Sequence, residues 1–223
     1  MSSGFGRELT RQLLAAGDRV VGTVRDTAKV ADLAGQHPGT FIPELLEMTD
    51  TTAIRQLTGR CWQQLGRIDV IVSNAGLFGA AEELSDAEVT DIIATNLTGP
   101  ITLIRSAVPH LRQQGGGRII QISSYGGQVA FPGNSLYHAT KWGIGNPAHA
   151  FQRMLDPVNG LAPGDPARMA AQITDSASTD PAPLRIVLGS QALASTLDTL
   201  RKRIADFETQ TEFAAASDFP PGE

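Results

Sequence analysis

Arg118-Ile119-Ile120-Gln121-Ile122-Ser123-Ser124, followed shortly by Tyr137-His138-Ala139-Thr140-Lys141, joins an apolar run to a polar helix start. The apolar run from Arg118 to Ser123 reads as a buried strand. The residues from Tyr137 to Ile144 open a helix. Four residues apart on that helix, Tyr137 and Lys141 stand one turn from each other on the same face. An ammonium beside a phenol favours the phenolate, so the spacing predicts a Tyr137 pKa lowered from about 10 toward the working range of a general acid or base. A hydroxyl at the end of the strand and a Tyr/Lys pair at the start of the next helix can polarise one carbonyl together.

Working outward, the chain alternates short strands with amphipathic helices. Strands are expected at Arg19 to Val24, Thr40 to Leu46, Ile68 to Ser73, Arg118 to Ser123 and Leu184 to Leu188. Helices are expected at Gly4 to Ala16, Thr27 to Ala34, Thr51 to Leu65, Asp86 to Ala94, Leu97 to Gln113, Tyr137 to Ile144, Ala167 to Ser176 and Gln191 to Thr211. The two around residue 95 are either one long helix or two abutting ones. The near-continuous apolar strands are those of a sheet covered on both faces, so the fold class is α/β, a Rossmann-like doubly wound parallel sheet. One domain is expected over residues 1–213, with a disordered tail at 214–223.

Composition bounds the function. The chain has 223 residues, 41% hydrophobic and 18% charged, with a formal net charge of -5, so no basic face for nucleic acid is expected. The single cysteine, Cys61, excludes an internal disulfide and reads as a buried structural thiol. No apolar stretch approaches the ~18 residues of a membrane span, and no signal-peptide pattern opens the chain, so a cytoplasmic location is the default. His37, His110 and His149 have no metal-ligand spacing, and no metal site is expected. Asp69, ahead of an apolar strand, reads as structural.

Several short motifs now fall into order. Ser2-Ser3-Gly4-Phe5-Gly6 resembles the end of the Thr-Gly-x-x-x-Gly-x-Gly turn of the short-chain dehydrogenase/reductase family. Asn74-Ala75-Gly76 resembles its Asn-Ala-Gly, Asn96-Leu97-Thr98-Gly99 its helix-four asparagine motif, and Ser124, Tyr137 and Lys141 its catalytic set. The resemblance implies an NAD(P)-dependent oxidoreductase interconverting a secondary alcohol and a carbonyl by hydride transfer. It gives Tyr137 the proton transfer, Ser124 a hydrogen bond to the same oxygen, Lys141 the tuning of Tyr137 and the nicotinamide ribose, and Asn96 a relay water. By the family's spacing Ser124, not Ser123, is the catalytic serine, and His138 is not catalytic. Ser3, Gly4, Phe5 and Gly6 would approach the cofactor pyrophosphate at a helix N-terminus, and Asn74, Ala75 and Gly76 would line the adenosine side. Arg25, just past the strand Arg19 to Val24, which corresponds to the family's second strand where NAD-preferring members carry an acid, suits a 2′-phosphate, so NADP(H) is favoured over NAD(H). The other reading of Arg25 is a solvated side chain paired with Asp26. Near the adenine the chain has Glu47-Met48-Thr49 where the family often has Asp.

The chain also departs from the family's pattern. Met1 sits where the turn is already under way, so the central first strand and the first glycine have no counterpart. Its neighbours are expected to be left with unpaired backbone groups, at about 1–3 kcal/mol for each that is buried. After Lys141, Gly145-Asn146-Pro147 stops the helix, and the segment that closes over nicotinamide and substrate, together with part of the family's dimer helix, is expected to be missing at a junction near 145–146. The resemblance thus leaves two readings: an oxidoreductase acting on a small-molecule carbonyl or alcohol, homo-oligomeric as is typical of the family, or a truncated, catalytically inactive relative without competent cofactor binding. A serine hydrolase at Ser135 fits poorly, since Gly133-Asn134-Ser135-Leu136-Tyr137 lacks the last glycine of a nucleophile elbow.

Overall fold

The computed structural model of the chain describes residues 1–127, 133–144, 164–183 and 185–215. Helix α1 (Gly4–Ala15) is amphipathic and ends at Gly17, whose φ of 91° gives the chain its left-handed exit. Strand β1 (Val20–Val24) follows. Asp26 then caps a 3₁₀ turn over Thr27–Val30 by accepting from the Ala28 N–H, and the turn runs into α2 (Ala31–Gln36). Strand β2 (Phe41–Leu45) pairs parallel with β1 in the register Val20↔Phe41 to Val24↔Leu45. Helix α3 (Thr51–Leu65) starts where the Asp50 carboxylate accepts from the Thr52 and Ala53 N–H groups and stops at Gly66, φ 73°.

Strand β3 (Val70–Ser73) leads to α4 (Asp86–Ile93), which opens on a Ser85/Glu88 capping box. A π-helical turn over Ala94–Thr98 joins it to α5 (Gly99–Gln113), so the two expected helices abut through one widened turn. Strand β4 (Arg118–Gln121) pairs parallel with β3, Val70↔Arg118 to Ser73↔Gln121. Helices α6 (Ser135–Ile144), α7 (Pro166–Ser176), α8 (Ser190–Glu208) and α9 (Thr211–Ala215) complete the described elements. The expected tail thus begins with two helical residues, and the rest of it, like the junction near 145–146, lies outside the described residues.

The architecture is a Rossmann-like parallel α/β fold whose sheet is incomplete. Among the described residues the strands form two parallel pairs, β1–β2 and β3–β4, and β1 and β3 each have one strand neighbour. At the free edge of β1 the Met1 amino group donates to the Thr23 carbonyl at 3.0 Å. Both faces of β1 are covered, and one face of the β3–β4 pair. Leu14, Val24, Val30, Leu33 and Phe41 close one core under α1 and α2. Leu46, Met48, Ile54, Leu57 and Cys61 close another under α3, with Val21 packed against it from the opposite face of β1. A third core joins Leu9 of α1, Ile122, and Met169, Ala170 and Ile173 of α7.

The expected strand at Leu184 to Leu188 is not formed by residues 185–188, and Leu184 lies outside the described residues. Ile186 and Leu188 still pack into the third core. Their apolar spacing reported burial, but a strand also needs a partner edge to bond to. Among the described residues no helix is long and apolar enough to cross a membrane.

Candidate active site

The π turn fixes the first site residue. Asn96 is wholly buried there, accepting from the Leu77 N–H at 2.7 Å and donating to the Leu77 carbonyl at 2.8 Å and to the Thr140 hydroxyl at 3.2 Å. One side chain therefore ties the loop after β3 to α6. Pro100 has no N–H, so the α-helical bond to the Asn96 carbonyl cannot form. A shift of register to Gly99 N–H on the Ala94 carbonyl accommodates this. Widened turns of this kind recur at functional sites.

Helix α6 carries Tyr137 and Lys141 on one face, as the spacing requires. Ser124, just past β4, hydrogen-bonds Tyr137 through its side chain and accepts from the Gly126 N–H at 3.0 Å. Ser123 instead donates to the Lys141 carbonyl at 3.2 Å. The structure therefore brings together Ser124, Tyr137 and Lys141 and holds Asn96 one bond away through Thr140, while Ser123 serves the backbone. His138 points elsewhere, against the turn at Gly126, where an added Cβ would come within 2.4 Å of its ring. Burial pushes its pKa down.

The electrostatics correct one expectation. Tyr137 is 4% exposed, and burial pushes its phenol up to about 12, partly offset by the Ser124 bond. The expected lowering is absent because burial outweighs it. Lys141 Nζ lies 5.6 Å from the centroid of the Tyr137 ring and donates to the Ile122 carbonyl at 3.1 Å. Lys141 is itself fully buried, and loss of hydration brings its pKa down to about 8. Helical spacing fixes which residues are near each other, but not where a long side chain places its charge.

The glycine turn lies beside the Asn-Ala-Gly loop. Ser3 precedes α1 with extended backbone and makes no side-chain cap bond, Gly4 adopts φ 56°, and Phe5 packs against the third core. A Cβ on Gly6 would lie 3.0 Å from Met1 Cα and 3.2 Å from Asn74 Nδ2, a tight fit that a larger residue could enter only if these segments moved by a few tenths of an ångström. Ala75 packs on the α3 core, and Gly76 continues the loop to Leu77. Arg25 lines a cleft of ≈ 310 Å³ with Leu45, Leu46, Glu47, Asp50 and Ala53. Asp26 is turned to its capping bond. Glu47 accepts from the neighbouring Met48 N–H at 2.9 Å.

Sequence reading passed over three contributors. Phe78 meets Tyr137 edge-on with centroids 5.3 Å apart, and Thr140 bonds Asn96. Gly127 lets the turn after Ser124 approach α6, since a Cβ there would lie 2.9 Å from the Lys141 carbonyl. The Gly126-Gly127 doublet after the serines was the available signal.

Cys61 is buried as expected, and burial raises its thiol pKa. Asp69 pairs with Arg67 at 2.6 Å.

Comparison with known proteins bears on the family and the fold. The short chain dehydrogenase family profile matches residues 1–177. A D-beta-hydroxybutyrate dehydrogenase of Rhizobium meliloti is 35% identical over 151 residues, covering 64% of this chain and 58% of that protein. A probable NADP-dependent dehydrogenase of Haemophilus influenzae is 29% identical over 143 residues, covering 63% of this chain and 57% of that protein. The chain thus spans little more than half the length of these curated relatives. A solved short-chain dehydrogenase from Streptomyces avermitilis superposes with a TM-score of 0.88 at 30% identity, covering 98% of this chain and 96% of that one. The chain belongs to the short-chain dehydrogenase family.

Proposed function

We propose that this protein is an NADP(H)-dependent oxidoreductase that interconverts a secondary alcohol and a carbonyl, with Tyr137 as general acid and base. The observation that carries the reading is the Ser124–Tyr137 hydrogen bond with Lys141 Nζ beside the same ring. The glycine turn and the Arg25 cleft suit the cofactor. The first turn of α1 offers backbone N–H groups with no side-chain cap at Ser3, and Arg25 lines a cleft with a guanidinium suited to a 2′-phosphate. The relative described as a probable NADP-dependent dehydrogenase supports the same choice. When bound, NADP(H) supplies or takes the hydride.

The chain's own residues handle the proton and the oxygen. Ser124 orients the substrate oxygen by hydrogen bonding, and Tyr137 gives its phenolic proton to that oxygen in reduction and recovers one in oxidation. A phenol with a pKa of about 12 is protonated at neutral pH, the form that donates in reduction. Asn96 holds the loop at Leu77 against α6 and keeps the Tyr137 helix in place.

A second reading keeps the same residues idle. It is favoured by the closure of Tyr137, 4% exposed and met by Phe78, and by the commitment of Lys141 Nζ to the Ile122 carbonyl. NADPH titration followed by nicotinamide fluorescence separates the two. Saturable micromolar binding, with turnover on a carbonyl panel that drops about 10²–10⁴-fold in Tyr137→Phe while NADPH binding is retained, supports the enzyme. A folded chain that does not bind NADPH supports the idle relative.

A further inference from the structure

Ser124 caps the turn that follows it. Its hydroxyl oxygen accepts from the Gly126 N–H at 3.0 Å, and its carbonyl accepts from the Gly127 N–H at 2.9 Å. A serine bonded in this way to the amide two residues on forms an ST turn. The bond constrains what the hydroxyl can still do. A serine oxygen has one proton and two lone pairs. Gly126 occupies one lone pair, so the proton and the other lone pair are what remain for Tyr137 and for a reacting oxygen. The Tyr137 bond favours the phenolate, as a bond donated to the phenolic oxygen does, so the proton in it comes from Ser124.

The turn is seated on α6 through both of its glycines. Gly127 lies against the Lys141 carbonyl, and Gly126 lies against His138. A Cβ on Gly126 would come within 2.4 Å of His138 Cδ2 and 2.8 Å of Nε2, and Gly126 is not in the left-handed region. The missing side chain there serves the contact with the ring and not the backbone conformation. His138 is 6% exposed and follows Tyr137 directly, with the two ring centroids 6.1 Å apart. Helix α6 thus carries on successive residues the phenol and the ring that backs the turn to which the phenol's partner is tied. We propose that His138 is a positioning residue for Ser124: its ring holds the Gly126 turn, and the Gly126 N–H, held there, fixes the Ser124 hydroxyl with its proton turned toward the reacting oxygen. The proposal rests on the reading of Ser124 and Tyr137 as the groups that handle that oxygen. His138 itself moves no proton and acts only through the turn.

Amide hydrogen exchange of the intact chain tests the contact without reference to turnover. The Gly126 amide should exchange about tenfold faster in His138→Ala and in Ser124→Ala than in the parent. Gly126→Ala meets the same contact from the other side, since its methyl displaces the ring. In the double variant His138→Ala/Gly126→Ala that methyl enters the space the ring leaves, and most of what either single change loses should return. In NADPH-dependent reduction of a ketone from a carbonyl panel, His138→Ala should lower kcat about tenfold with NADPH affinity unchanged. The same change made in the Ser124→Ala background should cost nothing further, an outcome that general support of the fold would not give. An unchanged Gly126 exchange rate in His138→Ala overturns the proposal. So does a kcat loss of the same size with and without Ser124. A parent that neither binds NADPH nor turns over any ketone overturns the enzyme reading and with it the role proposed for His138, while the exchange rates still report separately on the ring's hold on the turn.

Discussion

Lys141 and Tyr137 both sit where burial opposes their charge, and the consequences for stability run in opposite directions. The folded-state pKa of Lys141, about 8, lies below its ordinary 10.5. Between those values the unfolded chain binds more protons than the folded one, so stability rises with pH across that window. Below pH 8 the full penalty of a buried ammonium is present, up to about 3 kcal/mol, and above pH 10.5 it is gone. Tyr137, raised from 10 to about 12, loses stability as pH climbs through that higher range. Replacing Lys141 with Met removes only the first effect. Urea unfolding at pH 7, 8, 9 and 10 should therefore show the parent gaining on Lys141→Met by up to about 3 kcal/mol as pH rises. A difference that stays flat would mean the ammonium is better hydrated than its position indicates. The residues themselves were legible in the sequence, down to Ser124 over Ser123, because family spacing encodes which side chains meet. The direction of the Tyr137 shift was not. It depends on how far the fold buries the phenol, which no local pattern records.

At the scale of elements, the close approach of α5 to the segment after β2 rests on one glycine. A Cβ on Gly99 would lie 2.4 Å from the Met48 carbonyl oxygen, a backbone atom that cannot turn aside, and 3.1 Å from the Ala94 carbonyl of the π turn. Gly99→Ala should therefore push α5 outward and cost about 1–3 kcal/mol in urea unfolding, although alanine is the better helix former. A neutral or stabilising result would show that α5 has room to shift. The same helix explains what sequence can deliver at this scale. Helix α3 ends where expected, at Thr51 and Leu65, because Asp50 and Gly66 mark its ends chemically. The join between α4 and α5 was legible only as one helix or two, since Pro100 signals a lost bond but not the widened turn that absorbs it. The strand expected at residues 185–188 failed for a different reason: periodicity reports which side chains are buried, while pairing depends on a neighbour elsewhere in the chain.

At the scale of the whole molecule, the two strand pairs leave a seam that the ladder geometry makes testable. In a parallel ladder alternate residues point their N–H and C=O groups to one neighbour and then the other. Val20 N–H reaches the Thr40 carbonyl and the Val24 carbonyl accepts from Leu46, so Val20, Gly22 and Val24 face β2. Val21 and Thr23 face away, and the Thr23 carbonyl is the one that takes the Met1 amino group. Likewise the Asp69 and Ser73 carbonyls accept from Arg118 and Ile122, which leaves Val70 and Val72 directed away from β4. The parallel strands were readable from their near-continuous apolar runs. That β1 would pair with β2 and β3 with β4 was not, because pairing is a balance of contacts far apart in sequence. Native-state hydrogen exchange reads that balance residue by residue. Amides of Gly22 and Val24 should be protected, while those of Val21, Val70 and Val72 should exchange at least about 100-fold faster, as local openings of an unpaired edge do. Equal protection on both sides of β1 and β3 would require a strand between them, and the protein in solution would then have a continuous sheet.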